Sequence, residues 1–208
     1  MNKASEPDLA EVDRKLWLSH VEMAKHMVHL HSQHYDAETF HPLHVEEQIR
    51  GHVRGEEGER YLYTQRADLI AKDSAGMVWI IDHKTTFRIA PKTIKRYTLS
   101  GQFLGYQLLG KKLFADRFGG VLLNMLQRPL LKQYNNNQQL SIDLKRVTLE
   151  PAPFAVKTLK QTILAAERQI KQYNHLDDAM DWPGAYHETA CTTPYGACPF
   201  HETCQFGF

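Results

Sequence analysis

The chain is short of several things, and most of these shortages exclude a class of protein. It has almost no excess charge: 25 Lys and Arg against 24 Asp and Glu leave a net charge of +1 with histidine neutral. A protein holding nucleic acid by bulk electrostatics alone is usually far more basic, but metal-binding carboxylates offset phosphate-binding cations in a nuclease, so the charge does not decide. It has no apolar run near the roughly 20 residues that cross a bilayer, and Trp, Asp and Lys interrupt the longest ones, so no membrane partner is expected. The opening MNKASEPDLAEVDRK lacks the charged-then-apolar order of a secretory signal, and a cytoplasmic location is the expectation. Cysteine is scarce. The three present, Cys191, Cys198 and Cys204, all lie in the last eighteen residues. An odd count with no partner upstream argues against a disulfide framework and suits a reducing compartment.

What is present is ordinary in bulk and specific in arrangement. A length of 208 residues with 42% hydrophobic and 24% charged side chains suits one soluble α/β domain, or one with a small appendage. Residues 8–34 carry an apolar stripe at helical spacing through Leu9, Val12, Leu16, Val21, Ala24 and Val28, with Pro7 and Asp8 as start signals. A short strand over 43–53, a turn at GEEGE, a second strand over 60–72 and a turn at 73–76 lead to the apolar, β-branched MVWIIDHKT. Three strands joined by short turns predict an antiparallel meander. Helical spacing returns over 98–116, and Gly119-Gly120 introduces the strand VLLNMLQR, stopped by Pro129. The polar run QYNNNQQ over 133–139 reads as a loop or hairpin tip, followed by a strand over 140–149 and an amphipathic helix over 153–174. No internal repeat stands out. The order predicts an α/β core with a mixed sheet, residues 1–176, and a Cys-, Pro- and Gly-rich tail, residues 177–208.

Asp82 and Lys84 end the clearest strand and, two apart, share one of its faces, while His83 points the other way. Asp68 lies near the end of the preceding strand, so pairing through the 73–76 turn brings it towards Asp82. Two carboxylates held together repel unless a cation lies between them, and hard oxygen ligands favour Mg²⁺ or Mn²⁺. Such a cation polarises a phosphate and acidifies a bound water, with Lys84 orienting the water, accepting its proton or stabilising charge on the phosphate. The competing reading is a surface salt bridge in a hairpin.

The run RADLIAKDSAGMVWIIDHKTT resembles the central signature of the RecB-like branch of PD-(D/E)xK nucleases. In that branch an Arg/Gly-x-Asp strand and a turn precede an apolar strand ending in Asp/Glu-x-Lys-Thr. Downstream, Gln102 and Tyr106 match the branch's Q-x-x-x-Y helix motif, and their spacing puts both on one helical face; taken alone they would read as helix surface. Upstream, Val45-Glu46-Glu47 resembles the acidic start of the first core strand, with Glu47 the better match. The resemblance covers roughly residues 43–128 together with the tail. It implies a restriction-endonuclease-like α/β fold, a mixed central sheet flanked by helices. It also implies a catalytic set of Asp68, Asp82, Lys84, Glu47, Gln102 and Tyr106, with Asp68 and Asp82 as metal ligands.

The tail pattern C-x6-C-P-F-x3-C resembles the C-terminal cysteine triplet of iron–sulfur members of this branch. There a fourth, upstream cysteine completes a [4Fe–4S] cluster. This sequence has no upstream cysteine. His187, His201 or another chain would have to supply the fourth ligand, and a zinc knuckle and three unliganded thiols are the alternatives. The family's G-x-x-x-H, whose histidine binds metal, is also missing ahead of Glu47. His26, His29, His31 and His34 crowd one helix end, where one of them would substitute or all would be helix surface. The resemblance implies a Mg²⁺-dependent DNA nuclease, an exonuclease acting on single- or double-stranded ends in recombination, repair or phage replication. It would work in the host cytoplasm if phage-encoded, with a recombination or replication protein as partner. Lys95, Arg96, Lys111 and Lys112 are candidates for phosphate contacts. The alternatives are a nuclease-fold DNA-binding or assembly module without catalysis, favoured by the missing ligands, and a zinc-tailed binding protein with an accidental D-x-K.

Overall fold

The computed structural model describes residues 11–35, 40–136, 142–174, 192–193 and 196–197. Two compact units are distinguished, Met1–Lys160 and Gln161–Phe208. The first contains helix α1 (Glu11–His34), strands β1 (His41–Arg54), β2 (Arg60–Lys72) and β3 (Val78–Thr86), and helices α2 (Pro91–Thr98) and α3 (Gly101–Phe114). A 3₁₀ turn, Ala115–Arg117, leads to β4 (Phe118–Gln127), α4 (Leu131–Asn136) and β5 (Leu144–Leu149). Helix α5 (Pro153–Tyr173) runs from the first unit into the second, which also holds the short antiparallel pair β6 (Thr192–Thr193) and β7 (Gly196–Ala197).

The sheet order is β1-β2-β3-β4-β5. The first three strands form the expected antiparallel meander, β3 and β4 run parallel, and β5 returns antiparallel. The mixed sheet follows from connection length. The β2–β3 turn is short and local: Asp73 Oδ1 accepts from the Ala75 and Met77 amides, each at 2.9 Å, and Oδ2 accepts from Trp79 Nε1 at 2.8 Å. Gly76 there takes φ +84, a left-handed conformation that glycine adopts without steric cost. Joining parallel β3 and β4 needs a crossover, and α2 and α3 provide it.

Both faces of the sheet are covered, so β3 reads as a continuous apolar run, with Ile80 and Ile81 at 0% and 1% exposure. Phe103, Tyr106 and Leu109 of α3 pack with Ile70, Ile80, Val121, Leu123 and Met125 on one face. On the other, Met23 and Met27 of α1 and Tyr134 of α4 close over Ile142 and Leu126. Gly110 lets α3 lie close to the start of β4, because a β-carbon there would meet the Phe118 ring. Gly110→Ala is expected to cost about 1–3 kcal/mol, read as a lower midpoint in urea unfolding.

Two elements differ from the sequence reading. Helix α2 was not foreseen; it has eight residues, none of them fully buried, and its apolar face is only Ile94 and Tyr97, partly buried against the core. The run read as a loop from 133 begins inside α4, whose Leu131 and Tyr134 pack into the α1 cluster. Tertiary contact, not propensity, makes this turn helical.

Candidate active site

Strand β3 delivers Asp82 and Lys84 onto the α3 face. The β2–β3 ladder ends at Leu69 with Ile81, so the next step sets Asp68 opposite Asp82. There the ladder changes character: the His83 amide donates to the Asp68 carboxylate, Oδ2, at 2.8 Å. The carboxylate is therefore held against β3, half-buried.

Strand β2 changes face at this point. Ala67 and Ile70 both belong to the core cluster beneath α3, which strict alternation forbids for residues three apart. Across from the switch, Glu46 of β1 has φ +52, a left-handed conformation costly for a residue with a β-carbon. The β1–β2 ladder passes from Val45–Leu69 to Glu47–Ala67, placing Glu46 level with Asp68. Glu46 Oε2 pairs with Arg66 Nε at 2.9 Å. Glu47 stands opposite Ala67 and is exposed.

Asp82 is fully buried, and α3 is built to hold it. Ser100 caps the helix, its Oγ accepting from the Phe103 amide at 3.4 Å, which fixes Gln102 and Tyr106 above the strand end. Gln102 Nε2 donates to Asp82 Oδ1 at 3.0 Å and to the Tyr106 hydroxyl at 2.9 Å. The single Tyr106 proton is shared between the Arg66 carbonyl at 2.6 Å and Asp82 Oδ1 at 3.1 Å. Lys84 Nζ lies 2.6 Å from Oδ2 as an ion pair. Among the described residues no other donor satisfies Oδ2 in good hydrogen-bond geometry. The Lys84 stem runs by Phe103, its Nζ 5.9 Å from the ring centroid.

The electrostatics follow from this enclosure. Burial raises the Asp82 pKa above the usual carboxylate range; Lys84 pulls it back by hydrogen bond and charge, and the Asp68 charge pushes it up again. Burial and then the Asp82 charge raise the Tyr106 pKa, so its hydroxyl remains a phenol and a donor throughout the neutral range. Tyr106→Phe removes that donor from the buried Asp82 carboxylate and the Arg66 carbonyl and is expected to cost about 1–3 kcal/mol. Urea denaturation measures it, and an unchanged midpoint would show that the phenol carries no such load.

A divalent cation fits these residues. Asp68 and Asp82 offer hard oxygen atoms, Oδ2 keeps lone pairs that no neutral donor uses, and the raised Asp82 pKa marks a buried charge short of compensation. No group of three or more His, Cys, Asp or Glu is arranged as a metal cage among the described residues. Mg²⁺ bound through one or two carboxylates takes its other ligands from water and substrate phosphate, which this pair allows.

On the opposite face the structure adds a cluster that the sequence reading missed. Asn124 of β4 is fully buried, and its Nδ2 lies 2.7 Å from both His31 Nε2 and His83 Nδ1. The ring centroids of those histidines are 5.8 Å apart. His83 keeps an open edge, yet desolvation is the largest effect on it and lowers its pKa, opposed by the Asp68 charge. A lone Asn inside VLLNMLQR was the available signal. His31 is thus the histidine of the helix-end group that reaches β3. Lys112 donates to the His52 carbonyl, which ties it to β1. Lys95 and Arg96 occupy the last turn of α2. Cys191, Cys198, Cys204, His187 and His201 lie outside the described residues.

No curated protein matches the sequence. Among solved structures, the one titled "Crystal structure of SSO0001" shares 14% identity at a TM-score of 0.42, covering 67% of this chain and 57% of that chain. The present chain thus aligns with little more than half of that protein's length. The family described as the PD-(D/E)XK nuclease superfamily matches over residues 2–205, nearly the whole sequence. The five-stranded mixed sheet flanked by helices is its restriction-endonuclease-like core, and the chain belongs to the PD-(D/E)XK nuclease superfamily.

Proposed function

We propose that the chain is a metal-dependent DNA nuclease of the RecB-like branch, an exonuclease serving recombination, repair or phage replication. The observation that carries this reading is the enclosure of Asp82, with Lys84 on one carboxylate oxygen, Gln102 and Tyr106 on the other, and Asp68 level with it. Asp68 and Asp82 would hold Mg²⁺ or Mn²⁺, which would supply positive charge for the phosphate oxygens and lower the pKa of a water. The chain's own residues do the rest. Gln102 and Tyr106 fix the orientation of Asp82, and the Asp68 carboxylate is fixed by the His83 amide. Lys84 Nζ donates towards charge building on the phosphate as the attacking oxygen adds to phosphorus and the leaving oxygen departs. To Glu47, exposed on β1 opposite Ala67, we assign the role of supporting acid, and to Lys95 and Arg96 that of phosphate contacts.

The test is degradation of labelled linear single- and double-stranded DNA with Mg²⁺ or Mn²⁺, beside EDTA and circular DNA. Cleavage of linear DNA that EDTA abolishes, with circles left intact, is expected. Cleavage that persists in EDTA removes the metal from the reading, and cut circles replace exonuclease with endonuclease. The absence of a third clustered ligand among the described residues favours one competing reading, a nuclease-fold DNA-binding module. Folded, Mg²⁺-loaded protein that binds DNA without cutting it would establish that module instead.

For the tail we propose that Cys191, Cys198 and Cys204 hold a [4Fe–4S] cluster, with zinc as the alternative; the pattern C-x6-C-P-F-x3-C supports this. Anaerobically purified protein is expected to contain iron and acid-labile sulfide. One zinc and no sulfide would select the knuckle.

A further inference from the structure

Beyond the ends of β3 and β4 lies a cleft of ≈ 810 Å³ that the catalytic reading leaves unused. We propose that it seats an unpaired nucleobase of the substrate strand, stacked on Phe87 and Arg128. The proposal rests on the nuclease reading and names the substrate class: a strand with a single-stranded end.

Position is the first argument. Thr86 of β3 and Gln127 of β4 are the last pair of the parallel ladder, and Phe87 follows directly. It lies three residues after Lys84, about 10 Å of extended chain. A strand whose phosphate sits at Asp82 and Lys84 therefore has a neighbouring nucleotide at this cleft.

Chemistry is the second. A groove for phosphates alone would be lined with cations. Half of this lining is apolar, including Ile89, Pro129 and Ile142, and it contains a carboxylate, Asp143, as well as Arg88 and Arg128. Phe87 is 56% exposed, and the Arg128 guanidinium lies 4.3 Å from its ring centroid. An aromatic ring with a stacked guanidinium is a platform for a base, since every base has a π-face.

The third argument is rigidity. Gln127 uses both ends of its amide on the walls: Nε2 donates to the Phe87 carbonyl at 3.1 Å, and Oε1 accepts from the Asp143 amide at 3.1 Å. The Arg128 amide donates to the Thr86 carbonyl at 2.7 Å. The Arg88 amide donates to Thr86 Oγ1 at 3.4 Å. The ring is thus exposed on a backbone that does not need to be ordered when ligand arrives. A base inside a duplex cannot offer its face to this ring without leaving the stack, and a terminal pair offers only its outer face with its partner attached, so the cleft favours unpaired ends.

Fluorescence anisotropy in Ca²⁺ reads binding with little turnover. Three labelled probes are used: a single-stranded 15-mer, the same strand with abasic residues near its end, and a blunt duplex. Wild type is expected to bind the intact strand tighter than the abasic one by about tenfold or more. Phe87→Ala should erase that difference, and Phe87→Tyr should keep it. Equal affinity for intact and abasic strands, no change in Phe87→Ala with fold confirmed by circular dichroism, or no binding of any probe would overturn the proposal. Cleavage in Mg²⁺, with Lys84→Ala as control, is scored separately. Ring-dependent binding without cleavage sinks only the nuclease reading. Cleavage without ring dependence sinks only the base site.

Discussion

Asp82→Asn is expected to change activity and stability in opposite directions. Activity should fall by about 10³-fold or more, because on the proposed reading the substitution removes a charged ligand from a site where a metal would contribute several kcal/mol to the transition state. Stability of the metal-free protein should rise at neutral pH. The Asp82 pKa is raised in the folded state, with burial outweighing the Lys84 attraction that opposes it. A carboxyl raised in this way contributes stability below its ordinary unfolded pKa and loses it as the pH climbs through the folded value. Unfolding in EDTA across a pH series measures this: the wild type should weaken above the ordinary Asp range, the variant should not, and the two should converge in acid. A wild type more stable than Asp82→Asn at neutral pH would show that Lys84 overcompensates the buried charge. Mg²⁺ should reverse the order by binding the folded wild type.

Lys84→Ala should lower the cleavage rate by about 10²–10⁴-fold and leave DNA affinity in Ca²⁺ within a few-fold of wild type. Its ammonium touches one carboxylate oxygen, so its removal acts on charge at the reacting centre more than on the binding track. The hydrogen bond and charge of Lys84 are also what lower the Asp82 pKa, so the acid limb of any residual activity should move to higher pH. Single-turnover rates over a pH series test both points. Lys84→Met, which keeps length without charge, separates charge from packing. A variant with lost activity and an unmoved acid limb would place Lys84 outside the Asp82 titration.

The site was legible where chemistry rides on a strong period. Strand β2 was read with the bounds it has, and alternation along β3 was enough to set Asp82 and Lys84 on one face. Spacing of four put Gln102 beside Tyr106, and the structure bonds them at 2.9 Å. What escaped depends on tertiary context. No local signal announces that Glu46 takes a positive φ or that β2 switches face beside Asp68. Helix α2 packs only Ile94 and Tyr97 partly against the core, a two-residue stripe too short to mark a helix. Asn124 looked like an interruption in an apolar strand until α1 brought His31 to it. Glu46 and Glu47 are one residue apart and both acidic, and only the kinked backbone distinguishes what each can face.

The wiring of the sheet has a consequence for how the protein reaches its native state. Asp68 and Asp82 lie on consecutive strands closed by the Asp73 turn, whereas Gln102 and Tyr106 arrive only after the crossover that makes β3 and β4 parallel. Local pairings close at little entropic cost, and non-local ones come later. The β2–β3 hairpin is one of the local pairings that close early, and it brings two like charges together with Lys84 at hand but before Gln102 and Tyr106 arrive. Divalent cations should accordingly speed refolding as well as stabilise the product. A refolding rate that rises with Mg²⁺ in the wild type and not in Asp82→Asn would mark the carboxylate pair as an early kinetic barrier.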